Sequence, residues 1–439
     1  SGSIDFRPRR RDFSTDGNLA GVPWLGLRLS EIKDLDSALV VGSFLRKDHP
    51  LFAQRLRQLG KKWGKVSLLS VGGDDPLIRL HAQLTVSPAD LPLALAAVVK
   101  AAAQLRGEAV PAGLDSVDPC VSSQAIAKSL VEGEKSAIFL GNVAEQHPHA
   151  AQLHALALEL ARLTGASCGF IGEAANSVGG HVARALPTAL NAYEMFAQPR
   201  KAYVLLGVEP DLDCHNPHQA VAALKAAALV VALTPFSDGA VREYADVLLP
   251  ITPFSETSGT FVNTEGRVQS FNGVVRPFED ARPAWKVLRV LGNLLDLPGF
   301  DQASSEQVRD EIIPSGEGFA GGLGNGLNGV PLALPVAIGG LQRIADVPIH
   351  FADALARRAP ALQKTRDAAA PTARLSAPTL ATLGVTDGAQ VRIRQANGEA
   401  VLTARVDESV PDGCVRVAAG HASTATLGEM FGAINVERA

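Results

Sequence analysis

A chain of 439 residues, 46% hydrophobic and 20% charged, is too long for one hydrophobic core and reads as two to four globular domains. Its net charge of −4 makes no global field for nucleic acid, and no run of about 18 or more uninterrupted apolar residues suggests a membrane span. Cys120, Cys168, Cys214 and Cys414 form no CxxC pair. They are too sparse for a disulfide scaffold and do not make the short run of thiolates that an iron–sulfur cluster uses.

Few aromatics beside abundant Ala and Gly favour helix-covered parallel sheets over an aromatic-rich sandwich, and the free thiols suit a reducing compartment. The leading Ser1-Gly2-Ser3 reads as a cloning remnant, residue 1 as a cut point, and no signal peptide is recognised. The one basic run, Arg7-Pro8-Arg9-Arg10-Arg11, is expected to be a solvated or partner-facing strand in contact with a neighbouring module.

Short apolar runs then alternate with helical patterns. Residues 37–45 and 66–71 read as buried strands, with helices over 51–62 and 90–105. A Pro/Gly/Asp-rich break at 111–119 precedes a second series: helices over 122–131 and 149–163, and strands over 136–140, 167–171, 202–206, 229–233 and 247–249. This alternation predicts parallel sheets built from βαβ units. A faint repeat links Gly42 and His49-Pro50 to Gly207 and Asn216-Pro217. In each, a glycine closes a strand and a proline opens a helix, where its missing N–H costs nothing.

Helical signal stops near Asp296. Residues 315–329 hold seven glycines in fifteen positions and are expected to be loop or linker. From Val391 the period changes. Val391-Arg392-Ile393-Arg394 alternates, Asn397-Gly398 marks a hairpin turn, residues 400–406 alternate again, and Pro411-Asp412-Gly413 turns the chain once more. The end of the chain is read as a small β barrel. The expected divisions are a first α/β lobe (1–115), a second (116–300), a Gly/Ala/Pro-rich linker (301–372) and the barrel (373–439).

The densest polar run, 253–269, follows a strand, where open α/β sheets bind ligands. Glu256, Asn263, Glu265 and Arg267 are its candidate cofactor contacts; equally, they could hydrogen-bond loop backbone and pair with one another. Cys214-His215 with His218 hints at zinc, but an N-cap at Asp213 or Asn216 explains the same residues as structure. A second group, His147, His149 and His154, is also read as capping and surface. No Walker A, G-x-S-x-G or H-E-x-x-H motif occurs.

These residues carry a resemblance. Ala245-Asp246-Val247-Leu248-Leu249-Pro250, Glu256, Gly259-Thr260-Phe261-Val262-Asn263 and Glu265-Gly266-Arg267-Val268-Gln269 are similar to the signature of the molybdopterin oxidoreductase superfamily. Gly207-Val208-Glu209-Pro210-Asp211-Leu212-Asp213 resembles its version in the large iron–sulfur subunit (the G subunit) of respiratory NADH:quinone oxidoreductase, complex I. So do 42–50 with Arg55-Leu56-Arg57, Asn176-Ser177-Val178-Gly179, Asp346-Val347-Pro348 through Arg357-Arg358, and Ile4-Asp5 through Phe13. The match runs in order along nearly the whole chain and is weakest across 301–340.

The resemblance implies two Rossmann-like lobes of the formate dehydrogenase type and a barrel like the pterin-binding one. It implies a scaffold body with no catalytic residue, no metal and no cofactor of its own. The 2Fe-2S and 4Fe-4S clusters that carry electrons from NADH to quinone belong to an N-terminal half whose cysteine motifs are absent here. The implied partners are that half and other peripheral-arm subunits, with no nucleic acid and no membrane span. The implied location is the cytoplasmic face of the bacterial inner membrane. The alternative is a molybdopterin-dependent oxidoreductase of the formate dehydrogenase type, which would need a Cys, Ser or Asp metal-ligand loop not recognised near the N-terminus. A free-standing nucleotide-binding protein would need a phosphate loop.

Overall fold

The computed structural model describes residues 2–73, 75–313, 322–336 and 339–439. Five apolar runs pair into one parallel sheet: β1 (Ser37–Val41), β2 (Lys65–Ser70), β3 (Leu80–Thr85), β4 (Ser136–Leu140) and β5 (Ser167–Phe170), in the order β3-β2-β1-β4-β5. Every residue of the central β1 and β4 is buried. Leu39, Val41, Ile138 and Leu140 face a core built with the helices Leu91–Arg106, Val121–Glu132 and Ala150–Thr164. Ala38, Val40, Ala137 and Phe139 face the other way, onto helix Pro50–Lys61, where Phe52 meets Phe139 edge-on at 4.8 Å. Burial on both faces is why these strands read as continuous apolar runs instead of alternating ones. The stretch Pro88–Arg106 is long and apolar enough to cross a membrane, but 67% of it is buried, as befits a core helix.

The sheet joins strands from both sides of the expected 115/116 division. The break at 111–119 belongs to the crossover that returns the chain from the edge strand β3 to β4 beside β1. Strand order therefore reverses between β1 and β4, which creates a switch-point crevice at their carboxyl ends. β1 stops at Val41, short of the expected 45, because Gly42 turns to φ +63.

The second α/β unit is a parallel sheet of β6 (Ala202–Leu206), β7 (Leu229–Thr234) and β8 (Val247–Pro250). Tyr203, Leu205, Val230 and Ala232 pack with Ala223, Leu224, Val241 and Tyr244 from its helices. The repeat seen in the sequence is a matter of backbone: Gly207 takes φ +61, close to Gly42, and Pro217, like Pro50, opens its helix. A hairpin, β9 (Gly259–Val262) and β10 (Val268–Phe271), projects to the first lobe. Thr264 in its turn accepts the Leu25 N–H at 2.8 Å and donates its hydroxyl to Ile171 at 2.8 Å. A helix the sequence pattern missed, Ser305–Ile312, is capped by Ser304.

The third unit is a nearly closed barrel: β11 (Gln342–Ile344), β12 (Ala373–Leu375), β13 (Gln390–Gln395), β14 (Gly398–Val406), β15 (Cys414–Arg416), β16 (Gly432–Ala433) and β17 (Asn435–Arg438), ordered β16-β11-β15-β12-β14-β13-β17. It recruits β11 from the expected linker, since a three-residue strand is too short to show a period. The β13–β14 register pairs Gln395 with Gly398, so the turn centres on Ala396-Asn397, one residue earlier than expected. Ala396 takes φ +49. Gly398 is there for space: a Cβ on it would lie 1.9 Å from the Thr426 carbonyl oxygen.

The expectation of a solvated or partner-facing Arg7–Arg11 is overturned. Arg7 is buried between Asp5 and Asp16, at 2.8 and 2.7 Å. Arg9 reaches Asp213 at 2.9 Å in the second lobe, and Arg11 reaches Glu429 at 3.1 Å beside the barrel while stacking on Tyr193. The run is an internal strap across all three units, and it looks exposed in the sequence because the carboxylates of Arg9 and Arg11 lie 204 and 418 positions away. Of the glycine-rich stretch, residues 315–321 lie outside the described residues, while 322–329 dock on residues 18–22 through backbone hydrogen bonds. A Cβ on Gly21 would lie 2.8 Å from Gly324 N, so glycine here permits close backbone contact.

Candidate functional site

The loops at the carboxyl ends of the two sheets converge beneath the barrel. At the first switch point the glycines closing β1 and β4 let the loops touch: a Cβ on Gly42 would lie 2.7 Å from Ala144 N, and one on Gly141 2.4 Å from the Ser43 Cβ. The Val143 N–H donates to the Gly42 carbonyl at 2.9 Å. A cavity of about 830 Å³ opens between residues 46–48 of the loop after β1, the segment 366–372 and the barrel. Its walls carry Arg46, Lys47, Arg366, Arg374, Arg405 and Arg416 against Asp48, Asp346, Asp367 and Asp407.

Part of that charge is internally compensated. Arg416 grips Asp346 through two bonds of 3.1 and 2.9 Å and lies 4.5 Å over the Phe44 ring. Burial pushes the Asp346 carboxyl up, but Arg416 outweighs it and holds the group below the usual carboxylate range. Lys47 pairs with Asp367. Asp48, without such a partner, is pushed up to about 7 by burial and by Asp346. The wall is thus net cationic near neutral pH, which suits a phosphorylated ligand.

At the second sheet the equivalent space is filled by the chain itself. The loop after β6 presents Glu209 and Asp213. Arg357 donates to Glu209 at 2.5 Å and also to Asp213 Oδ1; Arg358 donates to Glu209 at 2.5 Å and to Asp238 at 2.8 Å; Arg9 donates to the same Asp213 Oδ1 at 2.9 Å, and Asp213 Oδ2 accepts the Glu209 N–H. The Arg358 guanidinium lies 4.2 Å over the Phe236 ring. Arg357, Glu209 and Asp213 are nearly buried, while Asp238 at the rim is exposed.

The four candidate contacts from the polar run do not line either space. Asn263 and Glu265 come together in the β9–β10 turn. There Asn263 Oδ1 accepts the N–H groups of Glu265 and Arg267, and Glu265 Oε1 accepts the Leu29 N–H at 2.6 Å. Glu256 accepts the Phe278 N–H at 3.0 Å. Arg267 is exposed. At His215, Asn216 is the N-cap, accepting the Gln219 N–H. His215 is buried, with Nδ1 3.1 Å from the Arg9 carbonyl. His147 and His154 are buried against the Pro88 and Asn325 carbonyls, whereas the sequence suggested surface. Among the described residues no three His, Cys, Asp or Glu side chains are arranged to hold a metal ion. The sequence reading missed the cavity because its cations come from five separate segments, and it missed the Glu209–Arg357 pairing because the two are 148 positions apart.

The family models settle the ancestry. Residues 7–294 match the molybdopterin oxidoreductase family, and residues 350–436 match the Molydopterin dinucleotide binding domain. The chain belongs to the molybdopterin oxidoreductase family. It is 32% identical over 222 residues to the NADH-quinone oxidoreductase G subunit of Streptomyces coelicolor, covering 48% of this chain and 25% of that protein. It is 30% identical over 192 residues to the corresponding G 2 subunit of Rhizobium meliloti, covering 39% and 22%. A putative formate dehydrogenase of Staphylococcus aureus is 38% identical over 69 residues, covering 16% and 7%. The chain thus spans a quarter or less of these relatives. In fold it is similar to acetylene hydratase from Pelobacter acetylenicus, with a TM-score of 0.64 over 96% of this chain and 80% of that one at 12% identity.

This membership raises a pterin dinucleotide, against the expectation of no cofactor. The residues fit it only in part. The cationic cavity beside the loop after β1 suits a dinucleotide's phosphates, whereas at the second sheet Arg357 and Arg358 are paired with Glu209, Asp213 and Asp238. No catalytic step is derived through the cofactor.

Proposed function

We propose that this chain is the molybdopterin-oxidoreductase-like body of the large iron–sulfur subunit of a complex I-type enzyme, acting as a scaffold in the peripheral arm. The observation that carries this reading is the Glu209–Asp213–Arg357–Arg358 cluster. Side chains that would otherwise face a ligand at the carboxyl end of the second sheet are paired with arginines of the same chain, which turns a binding cleft into a packed junction. The similarity to two bacterial NADH-quinone oxidoreductase subunits supports the same reading.

On this account electrons pass from NADH to quinone through iron–sulfur clusters held by other parts of the complex. The body supports those parts, peripheral to the cytoplasmic face of the inner membrane. Affinity purification of the tagged chain from mildly solubilised membranes tests it. The proposal predicts NADH-oxidising and iron–sulfur subunits in fixed proportion; recovery of the chain free of them would contradict it.

The cationic cavity favours a second reading, a molybdopterin-dependent oxidoreductase of the formate dehydrogenase type. There Arg46, Arg366, Arg374 and Arg405 would bind phosphate groups and orient the dinucleotide. The two readings separate on metal and pterin content.

A further inference from the structure

The first lobe carries a surface feature that neither the fold nor the cavity uses. Helix Pro50–Lys61 closes with the Gly64 N–H donating to the Leu59 carbonyl at 3.1 Å and the Lys62 N–H to Gln58 at 3.3 Å. In such a terminus the residue after the C-cap turns left-handed and is normally glycine. Here it is Trp63, at φ +71. A bulky residue in that region is an outlier, and this one is 78% exposed.

Beside it Leu77 repeats the pattern, at φ +56 and more than half exposed. The two belong to one patch. Ile78 and Arg79 lie against Gly60, where a Cβ would stand 3.6 and 3.3 Å from them, and the Arg79 guanidinium lies 4.5 Å over the Trp63 ring. Strained backbone held so that two large apolar side chains face water points to function outside the chain's own packing.

The surroundings are cationic. The helix carries Arg55, Arg57 and Lys61 and no carboxylate. Among the described residues Arg57, Lys61 and Arg79 make no ion pair. Lys62 and Lys65 are answered only by Asp34 and Glu132. Tryptophan and arginine together are the residue types that dominate protein interfaces. The outward face between Gln54 and Lys61 is polar, so the patch has too little apolar area to insert into a lipid surface.

We propose that Trp63, Leu77 and Arg79, rimmed by Arg57 and Lys61, form a docking site for a protein partner. The facing surface of that partner carries carboxylates around an apolar pocket that takes the indole. The site stands independently of the scaffold reading, since a soluble enzyme of the same family would use it equally.

The test replaces Leu77 with a photo-crosslinking phenylalanine analogue in the full chain, expressed in its own cells, and sequences the peptide captured on illumination. The expected adduct maps to a carboxylate-rich segment of one other protein. Its yield falls about tenfold or more in Arg57→Glu/Lys61→Glu and in Trp63→Gly, the loss expected for a hot-spot residue. Trp63→Gly also keeps or raises the thermal midpoint, because glycine accepts positive φ without strain. The proposal is overturned by absence of an adduct, by adducts to lipid, nucleic acid, a second copy of this chain or a segment without excess carboxylates, or by yields indifferent to the substitutions. A sharp fall in the thermal midpoint of Trp63→Gly overturns it as well, since the indole would then be structural.

Discussion

Replacing Arg7 by methionine tests whether the N-terminal strap is held as buried structure by its own ion pairs. The guanidinium makes paired bonds to both carboxylates: 2.8 and 3.0 Å to Asp5, and 2.7 and 2.7 Å to Asp16. It also lies 4.9 Å over the Phe13 ring. Burial works against its charge, but Asp16 and Asp5 outweigh burial and hold it above its ordinary value. The Asp5 side chain has no exposed surface, so methionine leaves a carboxylate buried without a counter-charge. Breaking such a pair from one side costs about 3–5 kcal/mol. The N–H groups of Arg7 and Ala192, at 3.1 and 3.2 Å from Asp5, soften that loss and place the expectation at the lower end. Adding Asp5→Asn should recover more than half, because the amide oxygen still accepts those N–H groups and the orphan charge is gone. Denaturant titration of the full chain, followed by circular dichroism, reads both variants. A loss below about 1 kcal/mol for Arg7→Met, the range of an exposed pair, would refute the reasoning.

Acid should destabilise the fold. Burial holds His49, His147, His154 and His215 down to about 4 and His181 down to about 3, so their contribution is complete above about 6.5 and is lost as pH falls toward 4. Burial raises Asp48 and Glu145 to about 7, and their opposite contribution is complete at low pH and lost as pH rises toward 7. Five imidazoles against two carboxyls leave about three protons taken up on unfolding between about pH 4.5 and 5.5, falling to about one at 6.5, an upper bound of about 4 kcal/mol per pH unit; denaturant midpoints that rise on acidification would contradict this. Gly398→Ala should cost about 1–3 kcal/mol by overpacking against Thr426, while Ala396→Gly should stabilise by up to about 1 kcal/mol by relieving positive φ; thermal midpoints moving the other way would disprove the shifted turn. Arg357→Ala leaves Glu209 and Asp213 under-compensated and should loosen residues 353–363 from the second lobe at a cost of about 2–4 kcal/mol; hydrogen exchange in that segment no faster than in the parent chain would count against the junction.

Much of the architecture is legible in the sequence, because a parallel strand buried on both faces must be apolar throughout, and runs such as 136–140 announce themselves. What hides is whatever depends on distant neighbours. β3 is a half-exposed edge strand whose Leu80-His81-Ala82-Gln83-Leu84-Thr85 alternation is legible and goes unread, while β11, with three residues, is too short to show a period. The break at 111–119 looks like a boundary and belongs to a crossover, because composition reports a bend and says nothing of which strand comes next. Gly398 looks like a turn residue, yet its lack of a Cβ serves Thr426. Arg9 and Arg11 look solvated because their carboxylates, Asp213 and Glu429, lie far along the chain. The polar run 253–269 marks the family through residues that hold loop backbone, while the cationic cavity draws on segments no motif connects.

The most direct test of the scaffold account is the molybdenum, tungsten and extractable pterin content of the chain purified from cells competent to make the cofactor. The account predicts traces far below stoichiometric, with the Glu209–Arg357 junction intact. Stoichiometric metal with pterin would contradict it and make the chain part of a working molybdopterin enzyme.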